Sequence, residues 1–114
     1  MTIKIAHVNV AKGYRGGERQ TELLIRSLAQ GGGFEQVLVA RRNAPLAGRL
    51  RDAAVEVRMV SGGLFSVAGA TGDADLLHVH EGRSVYGAFL RSLLSRTPYV
   101  VTRRVNNPIR EHWF

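Results

Sequence analysis

The chain has 114 residues, of which 45% are hydrophobic and three are proline, and these values favour one compact domain over a disordered or fibrous chain. It contains no cysteine, which excludes a disulfide scaffold, a thiolate metal site and a cysteine nucleophile. Sixteen basic residues against nine acidic ones give a formal net charge of +7. The expected partners are therefore anionic: phosphorylated small molecules, nucleic acid or an acidic membrane surface.

Strand-like and helix-like segments alternate along the chain. Five segments are predicted to be strands because they are short, apolar and rich in β-branched residues: 3–10, 35–40, 55–60, 75–80 and 98–102. Helices are predicted between them: 18–30, about 45–54, a short one near 64–71, and one with an apolar face made of Val85, Tyr86, Phe89, Leu90, Leu93 and Leu94. The predicted fold class is α/β, a Rossmann-like open parallel sheet of about five strands in the order 3-2-1-4-5, with helices on both faces.

The first predicted helix is amphipathic. Its apolar side is predicted to be formed by Leu24, Ile25, Leu28 and Ala29. Its opposite stripe is polar and is formed by Arg19, Glu22, Arg26 and Gln30. Glu22 and Arg26 have the spacing and orientation of an i,i+4 ion pair, and the glycines at 31–33 end the helix.

The loop at 11–17, "AKGYRGG", separates the first strand from this helix. Glycines let the backbone approach a ligand closely, and amides at a helix start favour an anion. Arg15 and Arg19 would add positive charge at the mouth of the loop. The pattern indicates a phosphate or another anion as guest; the alternative is a tight turn with solvated arginines.

A dinucleotide site is an alternative interpretation of the same loop. Ala11, Gly13 and Gly16 approximate the G-x-G-x-x-G fingerprint, and Arg41 with Arg42 at the end of the second strand would suit the 2′-phosphate of NADP. This alternative is an oxidoreductase fragment, and a third is a non-catalytic anion-binding module. No Gly-Lys-Ser/Thr occurs, so a Walker loop is excluded.

Other polar residues are expected to have ordinary structural roles. Asp73 and Asp75 resemble a metal-binding D-x-D but precede a strand, away from the expected ligand edge, so they are predicted to be turn residues. His78 and His80 share one face of the fourth strand; His78 is predicted to pack in the core and His80 to reach the cleft. His7 is predicted to be an interior histidine with its hydrogen bonds satisfied. No bound metal is expected, and nucleic acid is not expected as a partner because no binding signature occurs.

Three segments together resemble a known family. "GGERQTELLIRSLAQGG" after "KIAHVNV", then "DLLHVHEGRS", then "PYVVTRR", are similar in order and spacing to the N-terminal domain of the retaining glycosyltransferases of family 4, which have the GT-B fold. The resemblance covers essentially the whole chain. It implies an N-terminal, acceptor-side domain at residues 1–114, truncated before a C-terminal domain that binds most of the nucleotide-sugar donor.

The resemblance also implies roles for individual residues. Gly16 and Gly17 would face the donor's phosphates or sugar. The acceptor side of the cleft would be lined by Arg15, Arg19, His80, Glu81, Arg83, Arg103 and Arg104. Arg104 stands where many members have a histidine that contacts the transferred sugar, so the catalytic residues stay unassigned.

The expected reaction is hexosyl transfer from a nucleotide-sugar, a co-substrate, to an anionic glycan or glycolipid acceptor, as in lipopolysaccharide or cell-envelope polysaccharide synthesis. No cofactor is expected, and this chain alone is expected to be inactive without its donor domain. The expected location is cytoplasmic, with peripheral contact at the inner face of an anionic membrane.

Overall fold

The computed structural model describes residues 2–102, apart from the side chain of Arg83. Five strands follow one another along the chain: β1 (Ile3–Asn9), β2 (Phe34–Arg41), β3 (Glu56–Val60), β4 (Leu76–Val79) and β5 (Tyr99–Val101). Four α-helices connect them: α1 (Gly16–Gly31), α2 (Pro45–Arg49), α3 (Leu64–Ala70) and α4 (Val85–Ser95), the last preceded by a 3₁₀ turn at Gly82–Ser84. Within residues 2–102, no helix combines the length and the apolar character that crossing a membrane requires.

The strands form one parallel sheet in the order β3-β2-β1-β4-β5, which confirms the predicted fold class and strand order. β1 lies at the centre, where His7 is level with Leu38 of β2 on one side and with His78 of β4 on the other. Strand order reverses between β1 and β4, because the chain builds outwards from β1 in one direction and then returns to its other side.

The sheet is covered on both faces, and each face has its own core. Ile25 of α1 and the α2 residues Leu46 and Ala47 pack with Leu38, Ala40 and Leu50 on one face. The opposite face is larger and is packed against α3 and α4 through Val67 and Ala88; its other buried members are Ala6, Val8, Val10, Val37, Val39, Val60, Ala74, Leu77 and Val79. Alternating residues of a strand point to opposite faces, so β2 contributes Leu38 and Ala40 to the first set and Val37 and Val39 to the second.

The predicted apolar face of α4 is wrong for four of its six residues; Val85 and Leu90 are half-buried, and Val85 packs against the core. The side chains that α4 buries are small, at Gly87 and Ala88. Tyr86, Phe89, Leu93 and Leu94, which the periodicity assigned to the core, are more than half exposed. A Cβ built on Gly87 would lie 2.6 Å from the Cβ of Val67. The helices approach each other so closely that only the side of α4 with small residues fits against α3.

The buried face of α1 also differs from the prediction. Leu24 and Leu28 are half-buried, whereas Glu18, Thr21, Glu22 and Ile25 are buried. The helix is thus rotated toward its polar stripe, because the polar side chains find partners inside. The predicted Glu22–Arg26 pair is confirmed, with Arg26 Nε 3.0 Å from Glu22 Oε2.

Two helix boundaries differ from the prediction. α1 begins at Gly16 rather than at residue 18, so the glycine pair forms the first turn of the helix instead of the end of the loop. α2 is a single short helix of five residues, begun by Pro45 at a position where its missing N–H has no consequence.

Candidate functional site

The carboxyl ends of β1 and β4 lie side by side where the strand order reverses. The loop after β1 leads to α1 on one face, and the loop after β4 leads to α4 on the other. His80, directly after β4, continues the ladder by donating its backbone N–H to the carbonyl of Val8 at 2.9 Å. Ligands of open parallel sheets bind at such a divergence, which makes this edge the candidate site.

A buried polar network joins the end of β1 to the first turn of α1. Asn9, 1% exposed, donates from Nδ2 to Thr21 Oγ1 at 3.0 Å and to Glu18 Oε2 at 3.3 Å. Thr21 in turn donates its hydroxyl to the carbonyl of Gly17, and Asn9 Oδ1 accepts from the amide of Ala11. Sequence patterns did not single out Asn9 or Thr21; their burial is what reveals that they position the loop and the helix start.

The helix start itself is open. Arg15 precedes α1 and donates its backbone N–H to Glu18 Oε1 at 3.0 Å, half of a capping box. A Cβ built on Gly16 or on Gly17 would meet no other atom within 4 Å, and the side chains of Arg15 and Arg19 are exposed. The first amides of a helix have no acceptor within it, so these glycines present backbone donors at an accessible surface.

Tyr14 anchors the loop from the other side. Its hydroxyl donates to Glu22 Oε1 at 2.5 Å, and the Arg49 guanidinium lies over its ring at 4.4 Å from the centroid. The Glu22 carboxylate also accepts from Arg49 Nε at 2.6 Å. The loop is therefore held at Tyr14 while the following glycines stay open.

One carboxylate connects the two diverging loops. Glu81 Oε1 accepts the backbone N–H of Val10 at 3.3 Å and the hydroxyl of Ser84. Ser84 is fully buried and stands at the start of α4, where its hydroxyl bonds Glu81 instead of a backbone amide of the helix. Glu81, which the family resemblance assigned to the cleft, thus lies at the strand divergence.

Three histidines converge on the α1 side of the sheet at this same junction. His7 Nδ1 lies 3.1 Å from His80 Nε2, and His7 Nε2 lies 2.9 Å from Gln36 Oε1. The rings of His78 and His80 stack with centroids 3.9 Å apart, and His78 Nε2 bonds the hydroxyl of Thr102. This confirms that His78 and His80 share a face and that His7 is an interior histidine with satisfied hydrogen bonds. The predicted core position of His78 is not met, because His78 is half-buried whereas His80 is buried.

The protonation of His7 follows from its neighbours. Burial lowers the pKa of His7 to about 4, although the hydrogen bond with Gln36 opposes the shift. Gln36 donates its Nε2 to the carbonyl of Ile25 at 3.0 Å, which leaves Oε1 as the acceptor toward His7. His7 is thus neutral at pH 7, protonated on Nε2, and its Nδ1 carries a lone pair directed at His80.

Comparison with solved structures finds a glycosyltransferase from Rickettsia africae ESF-5, with a TM-score of 0.71. The chain has a glycosyltransferase-like fold. The match covers 98% of this chain but 33% of that one, at 12% sequence identity, so the chain spans about a third of that protein's length. A scan against protein-family models and a search of the curated proteins give no match.

Arg41, assigned to a 2′-phosphate in the dinucleotide interpretation, has a structural role. Its Nε donates to the carbonyl of Val10 at 2.8 Å and its Nη1 to the carbonyl of Ser61 at 3.0 Å. The guanidinium lies so close to Gly62, which has a φ of 104°, that a Cβ there would be 2.7 Å from Nη2. Arg41 joins the ends of β1 and β3, which weakens the dinucleotide interpretation; Arg42 is exposed.

Asp73 and Asp75 lie at the amino ends of the strands, away from the site, as predicted. Asp73 accepts two bonds from Arg58, at 2.7 and 2.8 Å, and one from Lys4 Nζ at 3.0 Å. These bonds hold the pKa of Asp73 well below its usual range. Asp75 accepts the backbone N–H of Lys4 at 2.8 Å, so both aspartates fasten the edge of the sheet.

Three residues that the resemblance assigned to the cleft lie outside the described part of the structure. They are Arg103, Arg104 and the side chain of Arg83. Their assigned roles stay predictions.

Proposed function

We propose that this chain is the acceptor-side domain of a retaining GT-B glycosyltransferase that acts together with a donor-binding domain. The observation that carries the proposal is the structural likeness to a glycosyltransferase over 98% of the chain. The position of the polar groups supports it: Asn9, Glu18 and Glu81 lie at the strand divergence, where an α/β sheet of this kind binds its ligand.

In the proposed reaction an acceptor hydroxyl replaces a nucleoside diphosphate on the anomeric carbon of the sugar. The bond from that carbon to the phosphate oxygen breaks, a bond to the acceptor oxygen forms, and the proton of the acceptor hydroxyl passes to the departing nucleoside diphosphate. Backbone amides at Gly16 and Gly17, with the exposed Arg15 and Arg19, would stabilise anionic groups at the helix start. The proposed chemistry takes no cofactor and no catalytic metal.

The proposed partners are a nucleotide-sugar and an anionic glycan or glycolipid acceptor. The net charge of +7 favours an acceptor that carries phosphate or carboxylate, such as a lipopolysaccharide or envelope-polysaccharide precursor, and peripheral contact with an anionic membrane on its cytoplasmic face. Arg15 and Arg19 are two exposed charges beside the open glycines, and they are the groups that would meet the acceptor first.

The test measures the Tm of the purified chain with and without each ligand. The ligands are phosphorylated glycolipid fragments, UDP- and GDP-sugars, and NADP. A phosphorylated glycolipid fragment is expected to raise the Tm, and Arg19→Ala is expected to remove most of that rise. Arg51→Ala, which removes the same charge from an exposed position after α2, is the matched control and should bind like the original chain.

Two outcomes would contradict the proposal. Stabilisation by NADP alone that is lost in Arg42→Ala would favour the oxidoreductase; Arg42 is chosen because Arg41 holds the backbone and its loss would disturb the fold. Equal stabilisation by every anion, weakened equally by Arg19→Ala and Arg51→Ala, would favour a non-catalytic anion-binding module.

A further inference from the structure

Three imidazoles, from β1, from β4 and from the residue that follows β4, meet beside the strand divergence, and a water molecule would complete a tetrahedral set of ligands. We propose that His7, His78 and His80 form a binding site for one divalent transition-metal ion of the Zn²⁺ class. The inference rests on the geometry of these residues and does not depend on the glycosyltransferase proposal.

The distances between the nitrogens are close to those of a metal centre. One ligand atom from each histidine can be chosen so that all of them lie within 4.8 Å of one another, and His7 Nδ1 and His80 Nε2 are already 3.1 Å apart. Zinc–imidazole bonds of 2.0–2.1 Å in a tetrahedral site place nitrogens about 3.3–3.4 Å apart. The His7–His80 nitrogen distance is thus close to that of a metal centre, and a ligand atom of His78 lies within 4.8 Å of the other two.

The residues behind the cluster orient it. Gln36 accepts the Nε2–H of His7 and is itself fixed by the carbonyl of Ile25, so Nδ1 of His7 is directed at the site. An outer partner that holds the second ring nitrogen is what metal-binding histidines usually have. His80 is held through its backbone bond to Val8, so the rings of His7 and His80 both lie where β1 and the end of β4 are hydrogen-bonded.

The set of ligands selects the kind of ion. Imidazole nitrogen suits Zn²⁺, Ni²⁺ and Cu²⁺, whereas Mg²⁺ and Ca²⁺ prefer carboxylate and carbonyl oxygen. His7 and His80 are buried while His78 is half-buried, so the cluster reaches the surface on the His78 side. A bound ion would link β1 to β4 directly at the place where the two halves of the sheet meet.

The first experiment uses the unmodified chain. Metal-free protein is titrated with Zn²⁺ while histidine ring nitrogens are followed by ¹H–¹⁵N NMR and stoichiometry by calorimetry. The expected result is one ion per chain, with shifts of the ring nitrogens of His7, His78 and His80 and a rise in Tm that a chelator reverses. Ring nitrogens that stay unchanged, or a shift confined to His112, would overturn the proposal.

Variants then test the individual ligands. His78→Gln replaces the most accessible ligand, and it is expected to bind Zn²⁺ at least roughly tenfold more weakly; Gln36→Leu is expected to weaken binding by roughly 10–100-fold. His112→Gln, which removes the fourth histidine of the sequence, is the control and should retain binding. Affinity unchanged in His78→Gln, or lost only in His112→Gln, would overturn the proposal, as would Mg²⁺ binding as tightly as Zn²⁺.

Discussion

Glu22 shows how a single buried carboxylate can organise a whole corner of the molecule. It accepts hydrogen bonds from Tyr14, Arg26 and Arg49, and so connects the loop, α1 and α2. Burial alone would raise the pKa of Glu22, but the bonds from Arg49, Tyr14 and Arg26 outweigh it and lower the pKa to about 2. The charged form is therefore strongly favoured in the folded chain.

The pKa of Glu22 predicts how stability depends on pH. As the pH falls, the carboxyl of the unfolded chain, with a pKa near 4.5, takes up its proton before that of the folded chain does. The contribution of the Glu22 carboxylate to the free energy of unfolding is therefore complete above pH 4.5 and is lost as the pH falls toward 2. Its size is about 3 kcal/mol at most. Chemical denaturation at pH 7 should show Glu22→Gln less stable by about 2–3 kcal/mol, with the difference vanishing near pH 2.

Glu35→Gln is the control for this measurement, because its carboxylate on β2 is largely exposed. That variant should follow the original chain within about 0.5 kcal/mol at pH 7. A difference between Glu22→Gln and the original chain that persists at pH 2 would mean that shape, and not charge, explains the effect.

At the scale of elements, the sequence predicted strands better than helix faces. Strands of a parallel sheet are buried on both sides, so a mostly apolar run such as residues 3–10 identifies one directly. The buried side of α4 could not be predicted from apolar periodicity, because the close approach to α3 selects small residues. The periodicity of Tyr86, Phe89 and Leu93 is real, but it marks the outer side of the helix.

The contact between α3 and α4 predicts a large effect from one added methyl group. Gly87→Ala would place a Cβ 2.6 Å from Val67 and 3.1 Å from the carbonyl of Leu64. The overpacking should destabilise the protein by about 1–3 kcal/mol. This loss exceeds the stability that alanine adds because it forms helices more readily than glycine. Thermal or urea unfolding measures the change.

Gly69→Ala is the matched control, since a Cβ on this α3 residue meets nothing within 4 Å. It should be neutral or stabilising by about 0.5–1 kcal/mol. Val67→Ala removes Cγ1 of Val67, which also lies 2.6 Å from a Cβ built on Gly87, and should relieve part of the strain when combined with Gly87→Ala. A double variant as unstable as the sum of the two single ones would contradict a clash with this Cγ1 atom.

At the scale of the whole molecule, the two edges of the sheet have different chemistry. The amino edge is closed by ion pairs among Lys4, Arg58 and Asp73, while the carboxyl edge holds neutral and carboxylate hydrogen bonds around Asn9 and Glu81. The general position of the site followed from the strand order alone. The histidine cluster did not, because its discovery requires the register that sets His7 beside His78.

The separation of the edges predicts that Asp73 has no part in ligand binding. Asp73→Asn should lower stability by about 1 kcal/mol or less, because Asp73 is nearly half exposed and solvent screens its pairs with Arg58 and Lys4. Glycolipid and metal affinity measured by calorimetry should stay unchanged. A D-x-D metal site would instead show Mn²⁺ binding that disappears in this variant.

The position of the histidines in the chain has a consequence for the order of folding. The His7–His80 bond joins residues 73 positions apart, and the Glu81 bond to Val10 joins residues 71 apart. β2 can pair with β1 and β3 with β2 early during synthesis, whereas β4 has to wait until residue 79 has been made. Contacts of such long range form late because closing a large loop is entropically unfavourable. The contacts that join the β1 loop to the residues after β4 therefore form late, and a nascent chain that stops before β4 lacks both His80 and Glu81.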